Sequence, residues 1–187
     1  MQQIWSYKMI RKIGWMVLAA AVLFPAGLFA ADYAHRLEAK NMTVSWTLDK
    51  DKIHMQLSAE TTGWVAIGID PEDAMGGADI IIGAVKNGKV RIEDHFADAK
   101  RGHSPDDKLG GSNHVINPEG SETDGVTTIS FTLSIAAAEE WDKPVHTDRM
   151  TRAMIAYGTG RDSFRTTHRY RALYDINFAT GEAVKVR

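Results

Sequence analysis

Met42-Thr43-Val44-Ser45-Trp46-Thr47-Leu48, then Asp49-Lys50-Asp51, then Ile53-His54-Met55-Gln56-Leu57-Ser58-Ala59: two runs of alternating apolar and polar residues flank a short polar turn. A period of two puts every second side chain on one face of an extended chain, whereas a helix needs apolar residues three and four apart. The stretch therefore reads as a β-hairpin with one apolar face, and that face needs a second layer to cover it.

Working outward, strand-like runs recur at residues 64–69, 79–85, 90–96, 126–133, 152–157 and 171–178. Lys86-Asn87-Gly88, Pro118-Glu119-Gly120 and Ala179-Thr180-Gly181 supply turn signals between many of them. Only residues 134–141 (SIAAAEEW) have helical composition. The pattern predicts an all-β fold, an antiparallel immunoglobulin-like β-sandwich with one short helix. Three connections are long for such a sandwich, at residues 71–78, 98–111 and 158–167. Binding residues collect on loops of this kind.

Lys8, Arg11 and Lys12 precede an apolar run over residues 13–30, which Pro25 and Gly27 interrupt shortly before Ala30-Ala31. This is the pattern of a secretory signal peptide, residues 1–30, followed by a β-sandwich domain, residues 31–187. The competing reading is an uncleaved anchor, the one route by which this chain would touch a membrane. Export implies a periplasmic or secreted protein. Three of the 22 basic residues and none of the 24 acidic ones fall in the leader, so the net charge moves from −2 to −5 on cleavage. An acidic domain of this kind does not suggest nucleic acid as a partner.

The chain has no cysteine. That excludes disulfide scaffolds, thiolate zinc sites, iron–sulfur clusters, cysteine nucleophiles and covalently attached haem. None of the seven histidines pairs at metal-ligand spacing along the chain, and no Gly-x-Ser-x-Gly or phosphate-binding Gly-rich loop is present. Asp94 and Asp106-Asp107 lie near turns, where acids are usually solvated or structural. Met75 is out of place in its polar loop, Asp73-Ala74-Met75-Gly76-Gly77-Ala78-Asp79. Either it folds back as a packing plug, or its thioether is aimed at a soft metal while the glycines let the backbone pass a large cofactor. His168 closes the 158–167 loop and opens the last long strand, as a surface residue or as a ligand.

Gly63-Trp64-Val65-Ala66-Ile67-Gly68 followed by Met75-Gly76-Gly77-Ala78-Asp79-Ile80-Ile81-Ile82-Gly83 resembles the core of the DOMON domain family. Val90-Arg91-Ile92-Glu93-Asp94, Pro105-Asp106-Asp107 and Ile155-Ala156-Tyr157-Gly158, with His168 ten residues later, extend the resemblance over about residues 40–180. Beside His168 stand Thr167 and Arg169-Tyr170, where many relatives place an aromatic residue and a glycine. DOMON domains are β-sandwiches of two kinds, secreted haem-b cytochromes and sugar-binding or adhesion modules.

For the cytochrome kind the resemblance implies Met75 and His168 as axial ligands of a non-covalent haem b. The expected walls are Trp64, Tyr157 and Phe164, and the expected propionate contacts are Arg165, Arg169, Tyr170 and Arg171. The protein is then an electron carrier and not an enzyme, and its partner is a redox protein such as a membrane cytochrome b or a periplasmic oxidoreductase. The alternative is a carbohydrate or other small-ligand module without haem, with Trp46, Trp64 or Trp141 as a stacking platform. A copper site on Met75 and His168 is a further alternative.

Overall fold

The computed structural model describes residues 32–186, so the expected signal segment lies outside the described residues. The strands are β1 (His35–Ala39), β2 (Met42–Asp49), β3 (Lys52–Ala59), β4 (Val65–Ile69), β5 (Asp79–Lys86), β6 (Lys89–Ala99) and β7 (Gly102–Pro105). A one-turn helix, α1 (Asp106–Leu109), comes next. Then follow β8 (Ile116–Thr123), β9 (Val126–Ser134), β10 (Thr151–Gly158), β11 (His168–Ile176) and β12 (Ala183–Lys185). They form two sheets, β1-β2-β3-β9-β8 and β12-β11-β10-β4-β5-β6-β7, and every pairing is antiparallel. The sandwich expected from the hairpin pattern is what forms.

The hairpin pairs in the register its alternation dictates, with Val44 opposite Leu57 and Trp46 opposite Met55. Leu57 and Met55 in turn face Ile129 and Phe131 of β9. These side chains meet Ile67, Ile81, Ile155, Tyr174, Ile176 and Phe178 of the second layer in one buried core. Trp46 is fully buried there. Its indole N–H donates to the Phe178 carbonyl at 2.8 Å, and the two rings pack edge to face at 5.6 Å. This leaves no indole face for a sugar and removes Trp46 from the stacking platform considered above.

The two sheets treat their outer faces differently. On the five-stranded sheet the outer residues are polar, and cross-strand hydroxyl and imidazole contacts tie them together, Ser58 to Thr128 at 2.9 Å and His54 to Thr132 at 2.8 Å. On the seven-stranded sheet β4 is buried at every position and β5 at all but its last. Its outer face carries a second apolar cluster: Trp64, Ala66, Ala78, Ile80, Ile82, Ala84, Ala97 and Phe164, with Met75, Met154 and Ala156 packed against it. An antiparallel sheet ordinarily leaves one face to water. At β4 and β5 this one leaves neither, so that part of its outer face is where a site is to be sought.

Three expectations change. Residues 134–141 are not helical, because the amides of Ala138 and Glu139 donate to the Asp142 carboxylate and that of Ile135 to the Asp51 carbonyl. The helix is instead α1, inside the loop expected at 98–111, which also supplies β7. Pro118-Glu119-Gly120 is not a turn but part of the fully exposed strand β8, with an irregular register between Ile116 and Glu119 that accommodates the proline.

Trp46 gives a direct test of the core. Trp46→Phe, which strands the Phe178 carbonyl, should cost about 1–3 kcal/mol, and Trp46→Ala about 3–5 kcal/mol, in denaturant unfolding. An alanine variant that unfolds at the wild-type midpoint contradicts this packing.

Candidate functional site

On the outer face of the seven-stranded sheet, Ile80 stands opposite Gly68 and Gly68 opposite Met154, while Ile82 stands opposite Ala66 and Ala66 opposite Ala156. Small residues on β4 and β10 thus make a shallow apolar floor between taller neighbours. A Cβ on Gly68 would come within 2.8 Å of the Met154 thioether methyl, which lies over that floor.

Met75 approaches the face from the loop before β5. The Glu72, Asp73 and Gly76 amides and carbonyls close a tight turn, the Gly77 amide donates to the Ala97 carbonyl at 2.8 Å, and the Ala78 amide donates to the Met75 carbonyl at 3.1 Å. Gly77 has φ 80°, and a Cβ there would meet the Glu72 side chain at 2.9 Å, so glycine is required. The turn leaves the Met75 side chain half-buried against the outer apolar cluster and outside the core between the sheets.

His168 reaches the same face through a β-bulge. Tyr157 pairs with Tyr170, yet the next pair is Gly158 with His168, so Arg169 is an extra residue with no partner of its own. Strict alternation from the inward Tyr170 would turn His168 inward. The bulge brings it outward, beside outward-facing Arg171, whose guanidinium donates to His168 Nε2 at 3.5 Å. Burial, then the Arg171 charge, holds the His168 pKa below the ordinary value. A neutral imidazole is the form that binds metal.

Of the expected walls, Trp64 and Phe164 belong to the outer cluster. Trp64 packs over Gly158, where a Cβ would come within 2.5 Å of the indole, and its N–H donates to Thr166 Oγ1 at 3.0 Å, fastening the 158–167 loop to the sheet. Tyr157 and Tyr170 do not join them. Alternation places both on the inner face, where they stack at 5.4 Å and pack with the main core. Tyr157 and Tyr170 therefore lie on the opposite side of the sheet from Trp64 and Phe164. Arg165, Arg169 and Arg171 are exposed, and only Arg171 touches His168. Trp141 is half-buried, edge-on to Phe96 at 5.4 Å.

Beside this floor runs an open groove of about 1310 Å³, lined by Ala84, Arg91, His95, His103, Phe164 and Arg165 among others; neither Met75 nor His168 lines it. Its two histidines escaped the reading of the chain, because no spacing rule joins residues 95 and 103. The β6–β7 hairpin joins them, with the two Nδ1 atoms 2.8 Å apart. His95 Nε2 lies 3.0 Å from the Glu93 carboxylate and its ring is edge-on to Phe164, over which the Arg91 guanidinium sits at 3.9 Å. Reading Gly102-His103-Ser104-Pro105 as a strand would have revealed the pair. Burial lowers both pKa values, opposed at His95 by Glu93 and reinforced at His103 by His95.

A family model described as the DOMON domain matches residues 38–158. Among curated proteins, the chain is 28% identical over 151 residues to DBH-like monooxygenase protein 1 of Mus musculus, a match covering 77% of this chain and 24% of that protein. It is 30% identical over 149 residues to the Homo sapiens protein of the same name, covering 76% and 24%. The chain therefore spans about a quarter of the length of the curated relatives it matches. Among solved structures, the cytochrome b domain of pyranose dehydrogenase from Coprinopsis cinerea superposes with a TM-score of 0.57, and the cytochrome domain of Myriococcum thermophilum cellobiose dehydrogenase with 0.56. Both are 11% identical and cover 79% of this chain and 83% of theirs, a likeness of fold.

An NMR titration of the ring protons checks the histidine pair. His95 and His103 should both protonate below the usual histidine value of about 6.5, and either ring titrating at or above it contradicts the buried pairing.

Proposed function

Because the chain belongs to the DOMON domain family, we propose that it is an exported electron carrier whose Met75 thioether and His168 imidazole hold the iron of a non-covalent haem b. One observation carries this reading: the bulge at Arg169, by which alternation directs His168 to the side of the sheet on which Met75 packs.

The residues fit that group. A soft thioether with a neutral imidazole is a donor pair suited to haem iron. Gly68, Ala66 and Ala156 offer a floor that a flat apolar macrocycle would cover, and Trp64 and Phe164 rise beside it. Arg171 beside His168 and Arg165 within the 158–167 loop are the cations placed to meet carboxylates on such a group. With no cysteine in the chain, attachment is non-covalent. When bound, haem supplies a one-electron iron couple. Met75 biases that couple toward the ferrous state, because a thioether is a softer ligand than imidazole or carboxylate. With Met75 and His168 both engaged, the protein offers neither oxygen nor a substrate an open coordination position, which suits transfer of electrons and not turnover. The fold shared with two cytochrome domains supports the same reading. The monooxygenase named in the curated relatives is more than three times as long, and the match takes in only about a quarter of it.

The leader over residues 1–30 supports export to a periplasmic or extracellular space. There the net charge of −5 suits a transient, salt-sensitive encounter with a basic redox partner, a membrane cytochrome b or a periplasmic oxidoreductase.

Haem titration into the purified protein, followed by absorption spectra of both oxidation states, tests the assignment. Wild type and His95→Ala should give the six-coordinate low-spin spectrum, whereas Met75→Ala and His168→Ala should each lose it while keeping a folded circular dichroism spectrum. A wild-type protein that takes up no haem, or a His168→Ala variant with an unchanged spectrum, overturns the proposal.

A further inference from the structure

The groove beside the apolar floor is lined by three stretches far apart in the chain, and each brings cations to it. Lys86, Lys89 and Arg91 come from the β5–β6 hairpin, Lys108 from α1, and Arg161 and Arg165 from the 158–167 loop. All six are exposed. Against them the lining sets three acids, Glu93, Asp107 and Asp162. The lining therefore carries +3 on a domain of net −5, which leaves −8 for the rest of the domain. A cationic concavity on an otherwise acidic surface concentrates small anions in one place.

The protein itself uses few of these cations. Among the described residues, Lys86, Lys89, Lys108, Arg161 and Arg165 form no ion pair. Arg91 is engaged: it lies 3.6 Å from Glu93, covers the Phe164 ring at 3.9 Å and donates to the Asp162 carbonyl at 3.0 Å. The acids are less available than their number suggests, because Glu93 is shared by Arg91 and His95 and one Asp162 oxygen is buried. Five unpaired like charges around one concavity repel one another, and a bound anion relieves that repulsion.

The histidine pair adds a hydrogen-bond acceptor. An ionised Glu93 carboxylate only accepts, so His95 carries its proton on Nε2, 3.0 Å away. His95 Nδ1 is then bare and accepts from His103 Nδ1–H at 2.8 Å. A neutral imidazole has one N–H, so His103 Nε2 is left as an acceptor, and among the described residues nothing donates to it. His103 lines the groove. A ligand hydroxyl can donate to that nitrogen, whereas an ionised carboxylate cannot.

We propose that this groove binds a small polyanion that also bears a hydroxyl group, a hydroxy-polycarboxylate or a sugar bisphosphate, with the unpaired cations on its charges and His103 Nε2 on its hydroxyl. Arginine forks take either oxyanion, and lysine ammoniums serve both as point charges. The groove, at about 1310 Å³, is far larger than one phosphate or carboxylate fills, and cations on three stretches call for anionic groups at more than one position. Of the cations, only Arg165 is shared with the haem reading, and the site does not depend on haem.

Citrate, titrated by calorimetry at low ionic strength into the protein as purified, should bind at one molecule per chain. Tricarballylate, with the same carboxylates and no hydroxyl, should bind about fivefold more weakly, a preference that His103→Ala abolishes. Fructose 1,6-bisphosphate is the phosphate arm. Tighter binding than citrate assigns the charges to phosphate and weaker binding assigns them to carboxylate; either order supports the proposal. Lys89→Glu combined with Lys108→Glu, at exposed positions the haem reading does not use, should weaken all three anions about tenfold or more with an unchanged circular dichroism spectrum. Binding should be equal before and after haem is added, so failure of the haem assignment leaves this test intact. Four results overturn the proposal: no saturable binding of citrate or the bisphosphate, equal affinity for citrate and tricarballylate, undiminished affinity in the double charge reversal, or loss of binding on haem loading, which gives the cations to the propionates.

Discussion

One unpaired residue, Arg169, governs the placement of the candidate site. Side chains on a strand alternate strictly, so the face that His168 occupies follows from how many residues separate it from Tyr170 and from where Tyr170 is held. Tyr170 is held inward, stacked on Tyr157 against the main core. Arg169 breaks the alternation between them, and His168 comes out beside Arg171 on the face that Met75 approaches from the other side. The same strand with Arg169 paired in regular register would point the imidazole into the sandwich.

The second constraint is that the seven-stranded sheet is buried on both sides at β4 and β5. Its inner face completes the core with Trp46, Ile67 and Phe178, and its outer face is roofed only by loops, through Trp64, Phe164 and Met75. The five-stranded sheet shows the ordinary solution, a core face and a ladder of hydroxyls toward water. The asymmetry divides the labour. One sheet stabilises the fold, while the other contributes to the core and also presents an apolar floor to a ligand. Because β5 and β6 alternate, the same two strands send Ile80, Ile82 and His95 to that floor and Asp79 and Asp94 to the acidic end of the inner face.

Much of this was legible in the chain. The period-two runs at residues 42–48 and 53–59 became β2 and β3 in full register, and the continuous apolar runs at 64–69 and 79–85 became the strands buried on both faces. Met75 was conspicuous for its chemistry alone. What was hidden depended on pairing. β8 is wholly exposed and so has no hydrophobic signature. The Ala-rich run at 134–141 had helical composition, but its amides are taken by Asp51 and Asp142, which no local pattern shows. The inward placement of Tyr157 and Tyr170 shows only once their strands are paired. His95 and His103 meet only through a hairpin whose second strand resembled a turn.

Met154 makes the sharpest internal alternative, since its thioether also lies on the outer face, over Gly68. Carbon-13 NMR of methyl-labelled methionine in the haem-loaded, reduced protein distinguishes the two, because a methyl group bound through sulfur directly over a haem ring is driven far upfield of the aliphatic region. A single such resonance, absent in Met75→Leu and retained in Met154→Leu, is the result expected here. No displaced methyl, or one that survives Met75→Leu, contradicts it.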